Sequence, residues 1–220
     1  MPSKKPPKIT VRYSGVYDRM LYLFVEGHPP ADHDYFIRRK VEALEGVQRL
    51  KKEVLPKLNP YLEHMQQILG VSWESREVVC YALPYPHKPG PVGAFSDPLT
   101  IFLKRWEGER LFSFPSDRLL EHLIHEFCHI IQDPLLKTAY RKELGEHLRE
   151  RNLQVLTHIL AYAIFRKVVD QEQWHREVSI RAQNPLYKRA LDLVQALGAD
   201  KIIEEAKSYL VKKNRSKELK

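Results

Sequence analysis

Cysteine is nearly absent from this 220-residue sequence, which contains only Cys80 and Cys128. Two cysteines exclude a disulfide framework and suit a reducing compartment. Glycine is also scarce, with 9 residues, and a collagen-like repeat is excluded. A long apolar run is missing as well, because the most apolar stretch, 153–165, is shorter than the roughly 20 residues of a membrane span. That stretch is interrupted by three polar residues, Gln154, Thr157 and His158.

The charge balance is basic, with 36 Lys and Arg against 28 Asp and Glu, which gives a net charge of +8. Such a surplus permits nucleic acid as a partner, but no nucleic-acid-binding motif is present. The basic stretches alternate with glutamates, as on solvated helix faces. No apolar segment of signal-peptide length follows the basic, proline-rich residues 1–8. We therefore expect a soluble, cytoplasmic protein without a membrane partner, whose oligomeric state the sequence leaves open.

Hydrophobic patterning predicts an α+β protein that is mostly helical and has a small sheet. Runs of β-branched and aromatic residues predict strands over 77–83 and 99–103. Residues 9–26 are predicted to hold a short strand or hairpin. Apolar residues at helical spacing predict four further segments as helices, namely 35–55, 61–69, 116–132 and 145–169. Strands that precede helices, rather than alternate with them, favour the α+β class.

The expected organisation is one domain over 10–211 between two basic tails, a disordered one at 1–9 and another at 212–220. Within the domain we expect an N-terminal helical part, a catalytic core and C-terminal helices, over 10–70, 77–170 and 171–211. The segment 84–98 is rich in proline and glycine. It is either a rigid surface loop or a wall beside a cleft that leads into an edge strand.

One short motif carries the chemistry of the sequence: His-Glu-x-x-His at 125–129. On a helix, His125 and His129 are one turn apart and differ by about 40° in azimuth, so both imidazoles can reach one metal ion. Glu126 lies about 100° from His125, beside such a metal, where it can act as a general base on water. Apolar neighbours give the helix a core face: Leu119, Leu120, Leu123, Ile124, Phe127, Ile130 and Ile131.

This segment resembles the zincin metallopeptidases, whose active-site helix bears His-Glu-x-x-His and lies beneath a small sheet. The resemblance covers 125–129 and the order of strands and helices from 77 to 170. It implies a zincin-like fold, with the small sheet packed on the active-site helix, and Zn²⁺ as the cofactor. It also implies a zinc-dependent metallopeptidase that acts on a peptide or protein, with Glu126 as the general base.

A catalytic zinc site needs three protein ligands and one open position. The third histidine of the metzincin branch is absent here, whereas the gluzincin branch takes a glutamate from a later helix, about 20 residues downstream. Glu150, 21 positions after His129 on the predicted 145–169 helix, fits that branch. The alternative third ligands are His147 first, then Glu146 and Cys80.

Other residues are assigned supporting roles. Tyr140 and His158 are the expected donors to the oxyanion that develops during peptide hydrolysis. Gln154 takes the position from which gluzincins hold a zinc-binding histidine by a hydrogen bond. Cys128 is expected to point into the core and to be inert.

Two further function classes stay open at this point. One is a DNA-associated metalloprotease that acts on protein bound to nucleic acid, which salt-dependent DNA binding would favour. The other is a non-catalytic helical binding protein in which His-Glu-x-x-His is accidental. Zinc content distinguishes this last class from both metalloproteases.

Overall fold

The computed structural model of this chain describes residues 5–32, 34–88, 94–132, 144–146 and 150–218, with side chains to 209. It is 64% helical with small sheets, which confirms the predicted α+β class. The strands are β1 (Lys8–Arg12), β2 (Glu77–Leu83), β3 (Ala94–Ser96), β4 (Leu99–Phe102), β5 (Lys104–Glu107) and β6 (Arg110–Ser113). The helices are α1 (Gly15–Glu26), α2 (Tyr35–Arg49), α3 (Leu55–Leu69), α4 (Ser116–Gln132), α5 (Leu153–Val168), α6 (Gln171–Arg181), α7 (Pro185–Leu197) and α8 (Ala199–Glu218). Within the described residues, no helix has the length and hydropathy that a membrane crossing requires.

Four strands form a mixed sheet in the order β1–β2–β4–β3. β2 pairs in parallel with β1 and with β4, and β3 pairs antiparallel with β4. Every residue of β4 is buried, as expected of an apolar strand between two neighbours. β2 and β4 confirm the two predicted strands. β5 and β6 form a separate antiparallel hairpin, which turns at Gly108 with a φ of 61°.

The N-terminal segment confirms its prediction only in part. β1 is a short strand at the start of the stretch 9–26, but most of that stretch is α1. This helix begins after Ser14, whose Oγ accepts a hydrogen bond from the Tyr17 amide. The helix ends at Gly27, whose φ is 76°. Lys8 and Ile9 pair with β2 as part of β1, so the predicted disordered tail does not extend to residue 9. At the other end, α8 continues to Glu218, through most of the predicted basic tail.

The sequence predicted that Pro56 ends the second helix, and this prediction is wrong. A π-helical turn, Leu50–Val54, joins α2 to α3, and the Leu55 amide donates to the Leu50 carbonyl five residues earlier. This wider turn changes the hydrogen-bonding register immediately before Pro56, which has no N–H to donate. The helical chain therefore passes through Pro56 and ends at Leu69, before Gly70 with a φ of 64°.

The chain divides into two compact units. The first contains residues 7–59 and 75–126, and so both sheets with α1 and α2. The second contains 1–6, 60–74 and 127–220, and so α5 to α8. The division falls inside α3 and inside α4. The predicted single domain over 10–211, with its three parts, stays a prediction.

A buried ion pair lies in the first unit. Both Asp18 and Arg39 are fully buried, and Arg39 donates from Nε to Asp18 Oδ2 at 2.9 Å and from Nη2 to Oδ1 at 2.8 Å. His87 Nε2 lies 3.1 Å from Asp18 Oδ1, and the Tyr13 hydroxyl donates to Oδ2. Burial opposes ionisation of Asp18, but hydrogen bonds from His87 and Arg39 outweigh it and hold the pKa of the carboxyl below its usual value.

The central helix of the second unit is α5, which packs against α6, α7 and α8. It begins later than predicted, at Leu153 instead of 145. Asn152 caps it, because its Oδ1 accepts hydrogen bonds from the amides of Gln154 and Val155. Ten of its residues are buried, so this helix faces the core on most of its sides.

Candidate functional site

The helix α4 has the bounds that the sequence predicted for the segment carrying the His-Glu-x-x-His motif. Six of the seven residues of the expected core face are buried, and Ile130 is partly exposed. The buried six are Leu119, Leu120, Leu123, Ile124, Phe127 and Ile131. Cys128 is buried with them, which confirms its expected position in the core. The helix is therefore fixed by packing along its length. His125 and Glu126 are also largely enclosed, with 3% and 6% of their surface exposed.

Three histidines lie together on α4 and α5. Potential ligand atoms of His125, His129 and His158 are all within 4.8 Å of one another. His125 is buried, and the other two are partly exposed. Three imidazoles are a known donor set of catalytic zinc sites, which keep a fourth position open. The chemistry of the cluster therefore fits zinc. Within the described residues, no other group of three or more His, Cys, Asp or Glu has this proximity.

The ring of His158 is held by its own helix. Its Nδ1 lies 2.7 Å from the backbone oxygen of Gln154, one turn earlier on α5. A carbonyl oxygen only accepts, so Nδ1 carries the proton and Nε2 keeps its lone pair for another partner. Histidines that bind a metal usually donate their other ring N–H in this way. His158 thus has the proton arrangement of a ligand.

The ring of His129 is held by Gln132, the last residue of α4. The fully buried Gln132 places Nε2 2.9 Å from His129 Nδ1 and 3.0 Å from the backbone oxygen of Thr157. Gln132 therefore connects one histidine of α4 to the turn of α5 that bears His158. The sequence analysis missed this residue. A polar residue three positions after His129 could have indicated it, because such residues lie side by side on a helix.

Aromatic rings surround His158. The His158 and His129 ring centroids are 4.8 Å apart, with the ring planes at 77°. Tyr187 on α7 lies 4.7 Å from His158, and Tyr162 on α5 lies 5.6 Å away. These contacts leave little freedom for the His158 ring, because its position is determined by packing as well as by its hydrogen bond.

The structure does not bring Glu150 to the histidine cluster. Glu150 precedes α5 instead of lying on it, so the predicted azimuths do not apply. Its Oε1 accepts hydrogen bonds from the amides of Arg151 and Asn152, both at 2.9 Å, and Arg189 approaches Oε2. The Asn152 amide, with smaller contributions from Arg189 and the Arg151 amide, holds the pKa of this carboxyl below its usual value. The carboxylate is thus engaged in ordering the start of α5.

The remaining predicted site residues have different outcomes. Tyr140 and His147 lie outside the described residues. Glu146 is described but is not part of the cluster. Cys80 is a buried residue of β2, and burial raises the pKa of its thiol to about 12, so it is a protonated core residue. Gln154 has an exposed side chain and contacts His158 only through its backbone oxygen.

Comparison of the chain with models of known protein families, with curated proteins and with solved structures found no match.

Proposed function

We propose that this protein is a zinc-dependent hydrolase of peptide bonds, with His125, His129 and His158 as the zinc ligands and Glu126 as the general base. The observation that carries the proposal is the cluster of His125, His129 and His158, with Glu126 next to His125 on the buried helix α4. A small sheet followed in the chain by this helix agrees with a zincin-like arrangement, which we include in the proposal. In this proposal His158 is the third zinc ligand, in place of Glu150 and the other candidates that the sequence suggested.

The chemistry divides between the metal and the chain. When bound, zinc lowers the pKa of water and polarises a carbonyl oxygen. His158 would bind the metal through Nε2, because its Nδ1 contacts the Gln154 backbone oxygen. His129 would also bind through Nε2, because its Nδ1 contacts the Gln132 side chain. For His129 this requires Nδ1 to carry the proton, so on zinc binding the Gln132 amide turns its oxygen to the ring and gives up the Nε2 contact with the Thr157 oxygen, which only accepts. In this proposal His158 is a ligand and leaves the oxyanion role to Tyr140, which stays a prediction.

Glu126 moves the proton during hydrolysis. Its carboxylate accepts a proton from the water that adds to the peptide carbonyl carbon, and then delivers it to the departing amine nitrogen as the C–N bond breaks. With only 6% of its surface exposed, Glu126 is largely shielded from bulk water. Exclusion of water keeps the proton on the reacting groups.

A peptide substrate is supported by the edge of the mixed sheet. β3 pairs with β4 on one side, and no other described strand pairs with it. An edge strand of this kind offers backbone hydrogen bonds to an extended chain. The edge strand is β3 itself, which lies within segment 84–98, whereas β4, the strand that follows the segment, is an inner strand of the sheet.

The test is peptidase activity of zinc-loaded wild type and of Glu126→Gln on a fluorogenic peptide library. Glu126→Gln keeps the size of the side chain and removes the base. We expect it to retain zinc and to lose about 10²- to 10⁴-fold in rate, the contribution of a general base. Full activity in this variant would refute the mechanism. Wild type that neither binds zinc nor cleaves any peptide would favour the non-catalytic binding protein.

A further inference from the structure

The helix α1 exposes a row of large apolar side chains. Val16 and Phe24 are 71% and 88% exposed, and Met20 and Leu23 between them are also exposed. These four positions recur at helical spacing, so they form one stripe. The stripe lies on the side of α1 away from Asp18, which is fully buried.

The next helix repeats this arrangement. Ile37, Val41 and Leu44 of α2 are 62%, 54% and 47% exposed. They lie on the side of the helix away from Arg39 and Ala43, which are fully buried. An amphipathic surface helix would place charged residues there. Both helices of the first unit that precede the π-helical turn thus carry an apolar outer stripe.

The spacing of both stripes is typical of helices that pack on other helices. Val16, Met20 and Leu23 are separated by four and then three residues, and so are Ile37, Val41 and Leu44. Alternation of four and three is the pattern of a and d positions in helix bundles and coiled coils. α1 and α2 are neighbours, since the rings of Tyr22 and Phe36 are 5.7 Å apart. We call the seven exposed residues of both stripes the outer face of the α1–α2 hairpin.

The size of this face fits a protein interface. Seven exposed apolar side chains, at roughly 100 Å² each, present about 700 Å², close to the 800 Å² per partner of a standard interface. Burial of such a face by a partner would therefore be favourable enough to form a stable complex.

We propose that a second copy of this chain covers the outer face of the α1–α2 hairpin. A twofold axis pairs one surface patch with the same patch on the second copy. Two hairpins that meet through their outer faces would therefore form a four-helix bundle. Exposed charges beside the stripes have both signs, with Arg19, Arg38 and Lys40 against Glu45. Charges of both signs can pair across a twofold axis, whereas an anionic membrane would favour cations alone. The predominantly apolar face is typical of homodimers.

Sedimentation equilibrium of the full chain from 1 to 100 µM tests this proposal. Wild type should show twice the chain mass of 25.9 kDa. Phe24→Glu on α1 and Val41→Glu on α2 should each raise the dimer dissociation constant at least about 30-fold, as loss of a central apolar contact does. Both residues are exposed in one chain, so the thermal stability of the monomeric variants is the check that folding is intact.

Leu153→Glu is the matched control, because Leu153 is also 61% exposed but lies on α5, outside the hairpin. It should leave the dissociation constant within twofold of wild type. A wild type that is monomeric at 100 µM overturns the proposal, and so does a dimer that only one of the two hairpin variants weakens. Binding of such a monomer to anionic lipid vesicles would identify a membrane surface as the occupant instead.

Discussion

Replacement of Gln132 by leucine tests whether α4 and α5 form one prepared metal site. Gln132 is fully buried, and its amide contacts both the His129 ring and the Thr157 backbone oxygen. Leucine has a similar volume and no polar atoms. Gln132→Leu therefore removes both contacts without opening a large cavity, while His125, His129 and His158 stay in place.

The expected magnitudes follow from these two contacts. Loss of a hydrogen-bond partner that orients a metal-binding histidine typically lowers metal affinity 10- to 100-fold, which is about 1.4–2.8 kcal/mol. In the zinc-free protein, two neutral hydrogen bonds contribute about 1–3 kcal/mol in total to the free energy of unfolding. We expect Gln132→Leu to lower both quantities, because the same amide serves the ring and the adjoining helix.

The assay is a zinc titration in competition with a chelator, together with urea unfolding of the zinc-free protein. Gln154→Leu is the matched control, since this glutamine has an exposed side chain one turn before His158. It should keep wild-type affinity and stability. Zinc affinity of Gln132→Leu within twofold of wild type would refute the role given to Gln132. A loss in Gln154→Leu instead would restore the residue that the gluzincin pattern indicated.

Two further predictions concern stability. Asp18→Asn should cost about 3–5 kcal/mol, because it leaves the guanidinium of Arg39 buried without its carboxylate. Because the pKa of Asp18 is lowered in the fold, its ionised carboxylate stabilises the protein above about pH 4, and this contribution is lost as the pH falls through the folded pKa. The free energy of unfolding, measured with urea, should therefore fall more steeply in acid for wild type than for Asp18→Asn. Gly46→Ala should cost about 1–3 kcal/mol, because a Cβ there would lie 2.8 Å from Leu103 Cδ2 and 2.9 Å from Cγ. Leu103→Val should reduce that cost in the double variant, and additive losses would contradict the proposed contact.

Local patterns predicted the elements that position the motif. β2 and α4 have the predicted bounds because each sequence strongly favours one secondary structure. β2 is rich in β-branched and aromatic residues, and α4 has a continuous apolar stripe at helical spacing. His125, Glu126 and His129 follow from α4 alone, since their relation is fixed by the geometry of one helix.

The third member of the cluster could not be obtained in this way. The azimuths assigned to Glu150 required a helix that had already begun, whereas the capping side chain of Asn152 starts α5 two residues later. Asparagine before an apolar run is a helix-start signal that the sequence did contain. That His158 approaches His129 depends instead on the packing of α5 beside α4, and no periodicity within either helix determines it.

Long-range pairs escaped prediction for a similar reason. Asp18 and Arg39 are 21 positions apart, and each was indistinguishable from a solvated surface charge in the sequence. Pro56 gave a strong local stop signal, but the π-helical turn before it changed the register that the signal assumed.

Zinc stoichiometry, measured by elemental analysis of purified protein, tests the central claim most directly. We predict one zinc per chain in wild type and in Glu150→Ala. His158→Phe, which keeps a ring beside His129 and Tyr187 but has no ligand atom, should lose zinc. Zinc that remains in His158→Phe and disappears in Glu150→Ala would contradict the three-histidine site and return the third ligand to Glu150.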